Sequence, residues 1–328
     1  MSHPNDFVSI GYFGKVPTRG DFIKATDNPN LITLIDEWLT RAMELFSAEP
    51  RWKSIYDHIA PMQFAILATR NQHALAGHLI ASRDQADRRF PFVSFGAFQI
   101  GQPSELLPYT PLMLGRLWSR LEIQTNQVMQ AEDASSALQQ LCTNDILLDF
   151  SAANHAVTLD EFMASNTLNT LHEMLTAGGY QGDVRQIILA LGLLLHPVMA
   201  SGASRLDKSL VLPLPRDIQQ RYLIAALWMK IITPFLLKAD FELTLLITRL
   251  DNQRQVLIIG FDGASPRTLQ ATMDPPAGTG HHIGFEETSW VEGAISADYR
   301  LERLSSYLAQ PSLQLDTAVS HFKEIFLG

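Results

Sequence analysis

The sequence has little cysteine and little positive charge, and each shortage excludes a class of protein. Cys142 is the one cysteine in 328 residues, so no intrachain disulfide and no cysteine-based zinc site can form. Lysine and arginine number 25 against 34 aspartates and glutamates, which gives a formal net charge of −9. A partner held mainly through nucleic-acid phosphates needs a basic face, so this balance argues against nucleic-acid binding.

The sequence also lacks a long uninterrupted apolar run. Its most membrane-like window, 222–237, is broken by Lys230 and Pro234 and falls short of the roughly twenty apolar residues that a spanning helix needs. We interpret this window as a buried, kinked helix. Residues 1–6 are polar and have none of the features of a signal peptide. Together with the scarcity of cysteine, this favours a cytoplasmic protein that is not embedded in a membrane.

What the chain does have is the composition of a globular protein with more than one core. Hydrophobic residues make up 46% and charged residues 18%, a balance that allows large cores and excludes a disordered chain. A length of 328 residues is long for a single core. The small, polar stretch 132–137 therefore predicts a boundary between an N-terminal domain, 1–133, and a C-terminal domain, 134–328.

Hydrophobic periodicity predicts an α+β N-terminal domain. Apolar residues within 31–46 recur every three or four positions, which predicts a helix with one buried stripe that includes Trp38. Segments 62–68, 75–80 and 92–100 then predict three strands of an antiparallel meander. We expect the polar side of this meander to face solvent and its apolar side to pack on the helix.

The C-terminal domain is predicted to be a helix-rich α/β unit. Segment 241–248 alternates apolar and polar residues and predicts a half-exposed strand, whereas 256–261 is continuously apolar and suits a central strand. Asp251-Asn252 between them predicts a hairpin turn. Segment 263–284 is rich in proline and glycine and predicts a long loop. Helices are predicted at 158–175, 183–198, 218–237, 297–308 and 313–326.

Glycine, proline and charged residues are most concentrated in segment 11–21. Three glycines and Pro17 predict a defined, non-helical connection between a strand and the first helix. The segment does not fit a nucleotide phosphate-binding loop, because Val16 follows Gly14-Lys15 and no glycine stands five positions before them. The tripeptide 19–21, Arg-Gly-Asp, is too short to indicate an adhesion motif.

Two short signatures resemble those of the TagF/ImpM family, the accessory proteins of bacterial type VI secretion. Residues 14–22 are similar to the family's Gly-Lys-x-Pro-x-Arg-Gly-Asp-Phe run, and residues 82–92 to its Ser-x-Asp-x-x-Gly-Arg-x-(Phe/Tyr)-Pro-Leu pattern. Asp87 stands where the family usually has glycine, so the sequence does not establish that the backbone needs a positive φ there, and Phe92 stands where the family usually has leucine. The residues that match as a structural signature are Gly14, Pro17, Gly20, Phe22, Ser82, Asp84, Phe90 and Pro91.

This resemblance covers about the first hundred residues and carries several expectations. It implies a cytoplasmic, non-enzymatic protein of a Gram-negative bacterium that represses type VI secretion after translation by binding a cytoplasmic component of the apparatus. In some members the partner is a forkhead-associated-domain scaffold protein. The resemblance also implies a longin-like or profilin-like N-terminal domain and no cofactor.

Charge suggests how the two signatures could bind a partner. If both segments reach one edge of the sheet, their cations form a small patch suited to an acidic or phosphorylated surface. Alternatively Arg88 pairs internally with Asp21 or Asp84 and holds the loops together. We favour this pairing for Arg88 and Asp21 and a binding role for Lys15 and Arg89. The predicted partner-binding residues are Lys15, Arg19, Asp21, Arg88 and Arg89.

A second hypothesis is an enzyme or small-molecule binder at the end of strand 256–261, around Asp262, Ser265 and His281. The chain has no Gly-x-Ser-x-Gly elbow, and Ser265 is favoured as a helix cap. His281 and His282 are adjacent, and adjacent side chains of an extended segment point apart, so no metal site is expected. A third alternative is that the C-terminal domain only supports the first domain and contributes an interface through the proline- and glycine-rich loop.

Overall fold

The computed structural model of the protein describes residues 7–143, 145–250 and 254–328. Within these residues one sheet of nine strands runs through both parts of the chain in the order β11-β8-β10-β9-β4-β5-β6-β2-β3, and β1 pairs with β7 apart from it. The strands are β1 Phe7–Val8, β2 Ile10–Gly14, β3 Ile23–Ala25, β4 Met62–Ala68, β5 His73–Ile80, β6 Phe92–Gln99, β7 Ile146–Leu147, β8 Leu206–Pro213, β9 Glu242–Leu250, β10 Arg254–Phe261 and β11 His282–Ile283.

Helices cover both faces of this sheet. They are α1 Pro29–Ser47, α2 Trp52–Tyr56, α3 Pro103–Leu106, α4 Thr110–Gln130, α5 Ser135–Thr143, α6 Ala152–Ser165, α7 Leu168–Ala177, α8 Val184–Ser201, α9 Ile218–Leu236, α10 Pro266–Met273, α11 Pro275–Gly278, α12 Trp290–Ala297, α13 Tyr299–Leu308 and α14 Leu315–Phe326. The α+β class and the helix-rich second part are thereby confirmed, and the longin-like comparison stays a prediction.

The first helix forms as its periodicity predicts. Asn28 caps α1 by accepting a hydrogen bond from the backbone N–H of Asn30, and the following proline suits the first helical turn. Trp38 is buried, and its indole N–H donates to the carbonyl of Ser265 at 3.3 Å. This helix therefore packs against α10 of the second part as well as against the meander. Leu34 and Leu45, which belong to the apolar pattern, are exposed.

The meander is present, but the prediction that its polar side faces solvent is wrong. Gln63 on β4, His78 on β5 and Ser94 on β6 are directly paired across the strands and point away from α1. All three are buried, because α4 lies over this face. Helix α4, which comes later in the chain, therefore buries a surface that the alternation of polar and apolar residues predicts to be exposed to solvent.

The two parts of the chain are joined through the sheet. Strand β9 pairs antiparallel with β4 on one side and with β10 on the other, so it is a central strand rather than the half-exposed one expected. The central position of β10 is confirmed, since β8 and β9 flank it. The predicted turn at Asp251-Asn252 lies outside the described residues. The division at residue 133 stays a prediction.

The proline- and glycine-rich segment is not one long loop. It contains α10, α11 and the short strand β11, which pairs parallel with β8. Its prolines stand at the starts of the two helices. The N–H groups of a first helical turn have no intrahelical acceptor, so a proline there removes no hydrogen bond. The prediction failed because proline was taken as a breaker of structure when it serves here as a helix start.

Among the described residues, one helix is long and apolar enough to cross a membrane, and it is α8 rather than the window 222–237. Its apolar surface packs on α7, α9, α13 and α14. The window 222–237 forms most of α9, which is buried over most of its length as expected. A core helix passes the same test of length and composition, so α8 is weak evidence for a membrane.

Candidate functional site

The two signature segments lie side by side at one edge of the sheet. Strands β2 and β6 pair antiparallel, with Gly14 opposite Phe92, so the chain leaving β2 meets the chain entering β6. A side chain on Gly14 would overlap the carbonyl of Pro91, and the φ of Gly14 is +132°. Glycine is therefore required at this crossing. We call the surface formed by residues 14–22 and 82–91 the signature edge.

Asp84 lies at the centre of the signature edge and is buried. Its Oδ2 accepts from the Lys15 ammonium at 2.9 Å and from Arg88 Nε at 2.7 Å. Its Oδ1 accepts from the backbone N–H groups of Ala86 and Arg88. Burial opposes ionisation, but these donors together outweigh it and hold the pKa of Asp84 well below its usual range. Asp84 thus carries a negative charge that ties both loops together.

Arg88 extends this network to the opposite loop. Its Nη2 donates to the carbonyl of Gly20 at 2.6 Å, and the backbone N–H of Gln85 donates to the carbonyl of Arg19 at 2.8 Å. Of the two partners considered for Arg88, the structure pairs it with Asp84. The Asp21 carboxylate instead accepts from the backbone N–H of Phe22.

The turn between Asp84 and Arg88 requires an unusual backbone conformation. Asp87 has φ of +61°, the left-handed region, and is the one non-glycine residue in that region among those described. The family pattern did not require a left-handed backbone here, because aspartate replaces the glycine usual at that position. Asp and Asn tolerate the left-handed region better than other side chains, which explains how the turn is kept.

An aromatic cluster supports the edge from below. The Phe22 ring stacks on Phe13 with 5.6 Å between centroids and meets Phe90 edge-on at 4.9 Å. The Lys15 ammonium lies 4.8 Å from the Phe22 ring centroid. Phe22 is still 44% exposed. It therefore presents a fixed apolar surface to solvent beside charged side chains.

The structure gives internal partners to the two cations that were favoured for binding. The Lys15 side chain is only 7% exposed and is committed to Asp84. Arg89 binds both carboxylate oxygens of Asp57, at 2.8 and 2.7 Å, and lies within 3.6 Å of Asp87. The hydrogen bond from Arg89 lowers the pKa of Asp57. A binding role for both cations stays a prediction, and the geometry favours a structural one.

The exposed charges of the signature edge belong to other residues. The Arg19 side chain is 42% exposed, forms an ion pair with Asp133 at 3.1 Å and contacts Ser135 at the start of α5. Arg83 is 57% exposed and pairs with Asp87 at 2.9 Å. Asp57 and Asp133 were missed by sequence reasoning because they lie far along the chain from the arginines that they bind. Together with Phe22 these arginines make a mixed charged and apolar surface typical of protein contacts.

The residues of the alternative site each have a structural partner. Ser265 caps α10 by accepting from the backbone N–H of Thr268, as favoured. Asp262 pairs with Arg205 at 2.7 Å, and His281 Nε2 lies 3.0 Å from Thr268 Oγ1. Burial lowers the pKa of His281. Across the described part of the chain, no group of three or more His, Cys, Asp or Glu side chains is placed to hold a metal ion.

Comparison with known proteins gives one family match. Residues 11–144, which include both signatures, match the family model of the TagF N-terminal domain, described as type VI secretion system-associated. The crystal structure of PA0076 from Pseudomonas aeruginosa PAO1 is similar, with 21% identity and a TM-score of 0.36. That match covers 42% of this chain and 62% of the other, so it spans less than two thirds of that protein. Among curated proteins none matches the chain.

Proposed function

We propose, from the match of residues 11–144 to the TagF N-terminal domain, that the chain is a type VI secretion system-associated protein that represses secretion after translation. It does so without catalysis, by holding a cytoplasmic component of the apparatus away from assembly. A forkhead-associated-domain scaffold protein, which the family resemblance implies for some members, is the first candidate partner.

The signature edge supports this role as the docking surface. Its loops are fixed by the buried Asp84 network, so the exposed Arg19, Arg83 and Phe22 keep their positions before a partner arrives. A preformed surface loses less conformational entropy on binding. Arginine guanidinium groups bind carboxylates and phosphates in a bidentate fashion, which suits an acidic or phosphorylated partner. Arg19 and Arg83 would exchange their exposed partners Asp133 and Asp87 for those of the docked protein.

The test compares two charge-reversed variants in the native host. One carries Arg19→Glu with Arg83→Glu. The control carries Arg205→Glu with Arg303→Glu, two arginines of the second part that are also exposed and also paired with a carboxylate. Tagged protein is recovered from host lysate at low and high salt, bound proteins are identified by mass spectrometry, and secretion of a type VI substrate is measured.

We expect the unaltered protein and the control to recover a secretion component at low salt and to repress secretion. The Arg19/Arg83 variant should recover at least tenfold less and release secretion, since rim charges contribute through screened electrostatics. Equal recovery and equal repression by both variants, with thermal unfolding unchanged, would place the docking surface elsewhere. Absence of any secretion component from all samples would contradict the proposed function itself.

A further inference from the structure

A row of polar side chains is buried in the middle of the sheet, where an apolar row would be expected. Cross-strand pairing places Gln63 of β4, His78 of β5 and Ser94 of β6 in line. Ser94 is satisfied by Thr125 of α4 at 2.8 Å. The rest of the row faces a cavity between the sheet, α4 and α9.

This cavity has a volume of about 230 Å³ and is lined from both parts of the chain. At roughly 30 Å³ for each water molecule, it has room for about seven waters or one small molecule. Two arginines and one glutamate contribute its ionisable side chains besides a histidine. The polar residues that line it include Gln63, His78, Glu122, Arg221, Arg249 and Gln255.

His78 is the deepest of these groups and is chemically unsatisfied. It is 1% exposed, and neither ring nitrogen has a hydrogen-bond partner among the described residues. Burial lowers the pKa of His78 to about 4, so at neutral pH the ring is uncharged and offers one N–H donor. Buried polar groups nearly always have a hydrogen-bond partner, so we expect the His78 ring to have one in the cavity.

Arg221 offers a second donor to the same cavity. Its Nη2 donates to the carbonyl of Arg216 at 2.8 Å, while its buried Nε has no hydrogen-bond partner within the described ranges. Burial lowers the pKa of Arg221, although the neighbouring Tyr222 and Glu122 act in the opposite direction. An anion in the cavity would accept from this N–H and would favour the charged guanidinium.

Other polar groups around the cavity are already paired with one another. Gln63 accepts from the Tyr222 hydroxyl at 3.1 Å and donates to Glu122 at 3.3 Å. The Thr248 hydroxyl donates to the carbonyl of Pro61. The His78 N–H and the Arg221 Nε–H lack acceptors among the described residues, and the guanidinium is cationic, so a negatively charged acceptor would complement them.

We propose that this cavity binds a small oxyanion, the carboxylate or phosphate group of a small molecule, with His78 and Arg221 as its donors. The ligand would contact β5 of the first part and α9 of the second at once. This site is separate from the signature edge, and it does not depend on the proposed role in secretion.

The first experiment measures thermal unfolding of the full chain against sodium phosphate and, separately, sodium malonate. Ionic strength is held constant with sodium chloride, and the pH is 7.5. The unaltered protein is compared with His78→Gln, Arg221→Gln and the control Arg303→Gln, whose side chain is exposed on α13. We expect a saturable rise in unfolding temperature for the unaltered protein and the control, and at least a tenfold weaker apparent affinity in the other two variants.

The second experiment needs no variant. Protein labelled with ¹⁵N in histidine is titrated with phosphate and with malonate and followed by NMR. The ring nitrogen signals are assigned to individual histidines by through-bond correlation to the backbone. We expect the His78 ring signals to move and to saturate at the concentration seen in the thermal measurement. A response to only one of the two anions would support the site and identify the ligand group.

Two results would overturn the proposal. If neither anion gives saturable stabilisation and the His78 signals stay fixed, the cavity holds water only. If stabilisation is equal in all four proteins, the anion acts at another place on the surface. Neither result bears on the secretion assay, so failure of this site and failure of the proposed function can be distinguished.

Discussion

Four donors converge on the Asp84 carboxylate from three residues, and two of those residues are themselves cations. A carboxylate in this setting is ionised in the folded protein at a pH where it would be protonated in the unfolded chain. Its contribution to stability is therefore present above the unfolded pKa of about 4 and is lost as the pH falls through the lowered pKa of the folded state.

We predict that Asp84→Asn lowers the thermal unfolding temperature by several degrees at pH 7, because it leaves the buried Lys15 ammonium without its counter-charge. The deficit relative to the unaltered protein should shrink as the pH falls below about 4, where the carboxyl of the unfolded chain takes up a proton while the folded carboxyl is still ionised. Circular dichroism melts between pH 7 and pH 3 measure both effects.

Asp87→Asn is the matched control for Asp84. Asp87 pairs with Arg83, four positions earlier, but both side chains are more than half exposed. Exposed ion pairs contribute little, and asparagine also tolerates the left-handed backbone of this turn. The control should unfold within about a degree of the unaltered protein. An equal fall in unfolding temperature in both variants would contradict the central role of Asp84 in stability.

At the scale of elements, α10 shows how one serine can serve two contacts. The Ser265 hydroxyl caps the helix, and its carbonyl accepts from the indole N–H of Trp38 on α1. Helices α1 and α10 therefore meet at the residue where α10 begins. Capping satisfies a backbone N–H that the first turn would otherwise leave without an acceptor.

Replacing Ser265 by alanine removes the cap but keeps the carbonyl that Trp38 contacts. We expect the free energy of unfolding to fall by about 1 kcal/mol, as for other N-cap serines. Urea unfolding followed by tryptophan fluorescence measures this change. Ser289→Ala is the control, since Ser289 precedes α12 without a side-chain capping bond and should change stability by less than about 0.5 kcal/mol. The reverse ranking would contradict the cap.

At the scale of the whole molecule, the β4–β9 pairing joins the part that matches the family model to the rest of the chain. Six consecutive residue pairs form this ladder. Without β9, the first part would expose an unpaired apolar edge along β4, and such edges promote aggregation. The two parts also contact each other where Trp38 donates to Ser265 and where α9 packs on α4.

We predict that both parts unfold together. Hydrogen exchange followed by mass spectrometry at increasing urea should show peptides from β5 and from β10 losing protection at the same denaturant concentration, because both strands belong to one sheet. A fragment of residues 1–144 serves as the comparison and should aggregate. Separate midpoints for β5 and β10, with a soluble fragment, would favour two independent domains.

Local rules were sufficient for much of the fold. Helix α1, the meander, strand β10 and the last two helices follow from side-chain periodicity, which depends on neighbours only a few residues away. The same rules failed for β9 and for the polar face of the meander. Exposure at those positions depends on elements far along the chain, which periodicity does not describe.

The candidate site likewise has features that the sequence predicts and features that only the tertiary structure shows. The sequence by itself determined that residues 11–21 form a defined, non-helical connection, because glycine and proline act on the adjacent backbone. Residues 82–91 contain no glycine and were identified through the family resemblance. Only the tertiary structure decided which charges face inward. Lys15 is buried on Asp84 and Arg19 is exposed beside Asp133, since burial of a charge is set by the partners that the sheet brings to it.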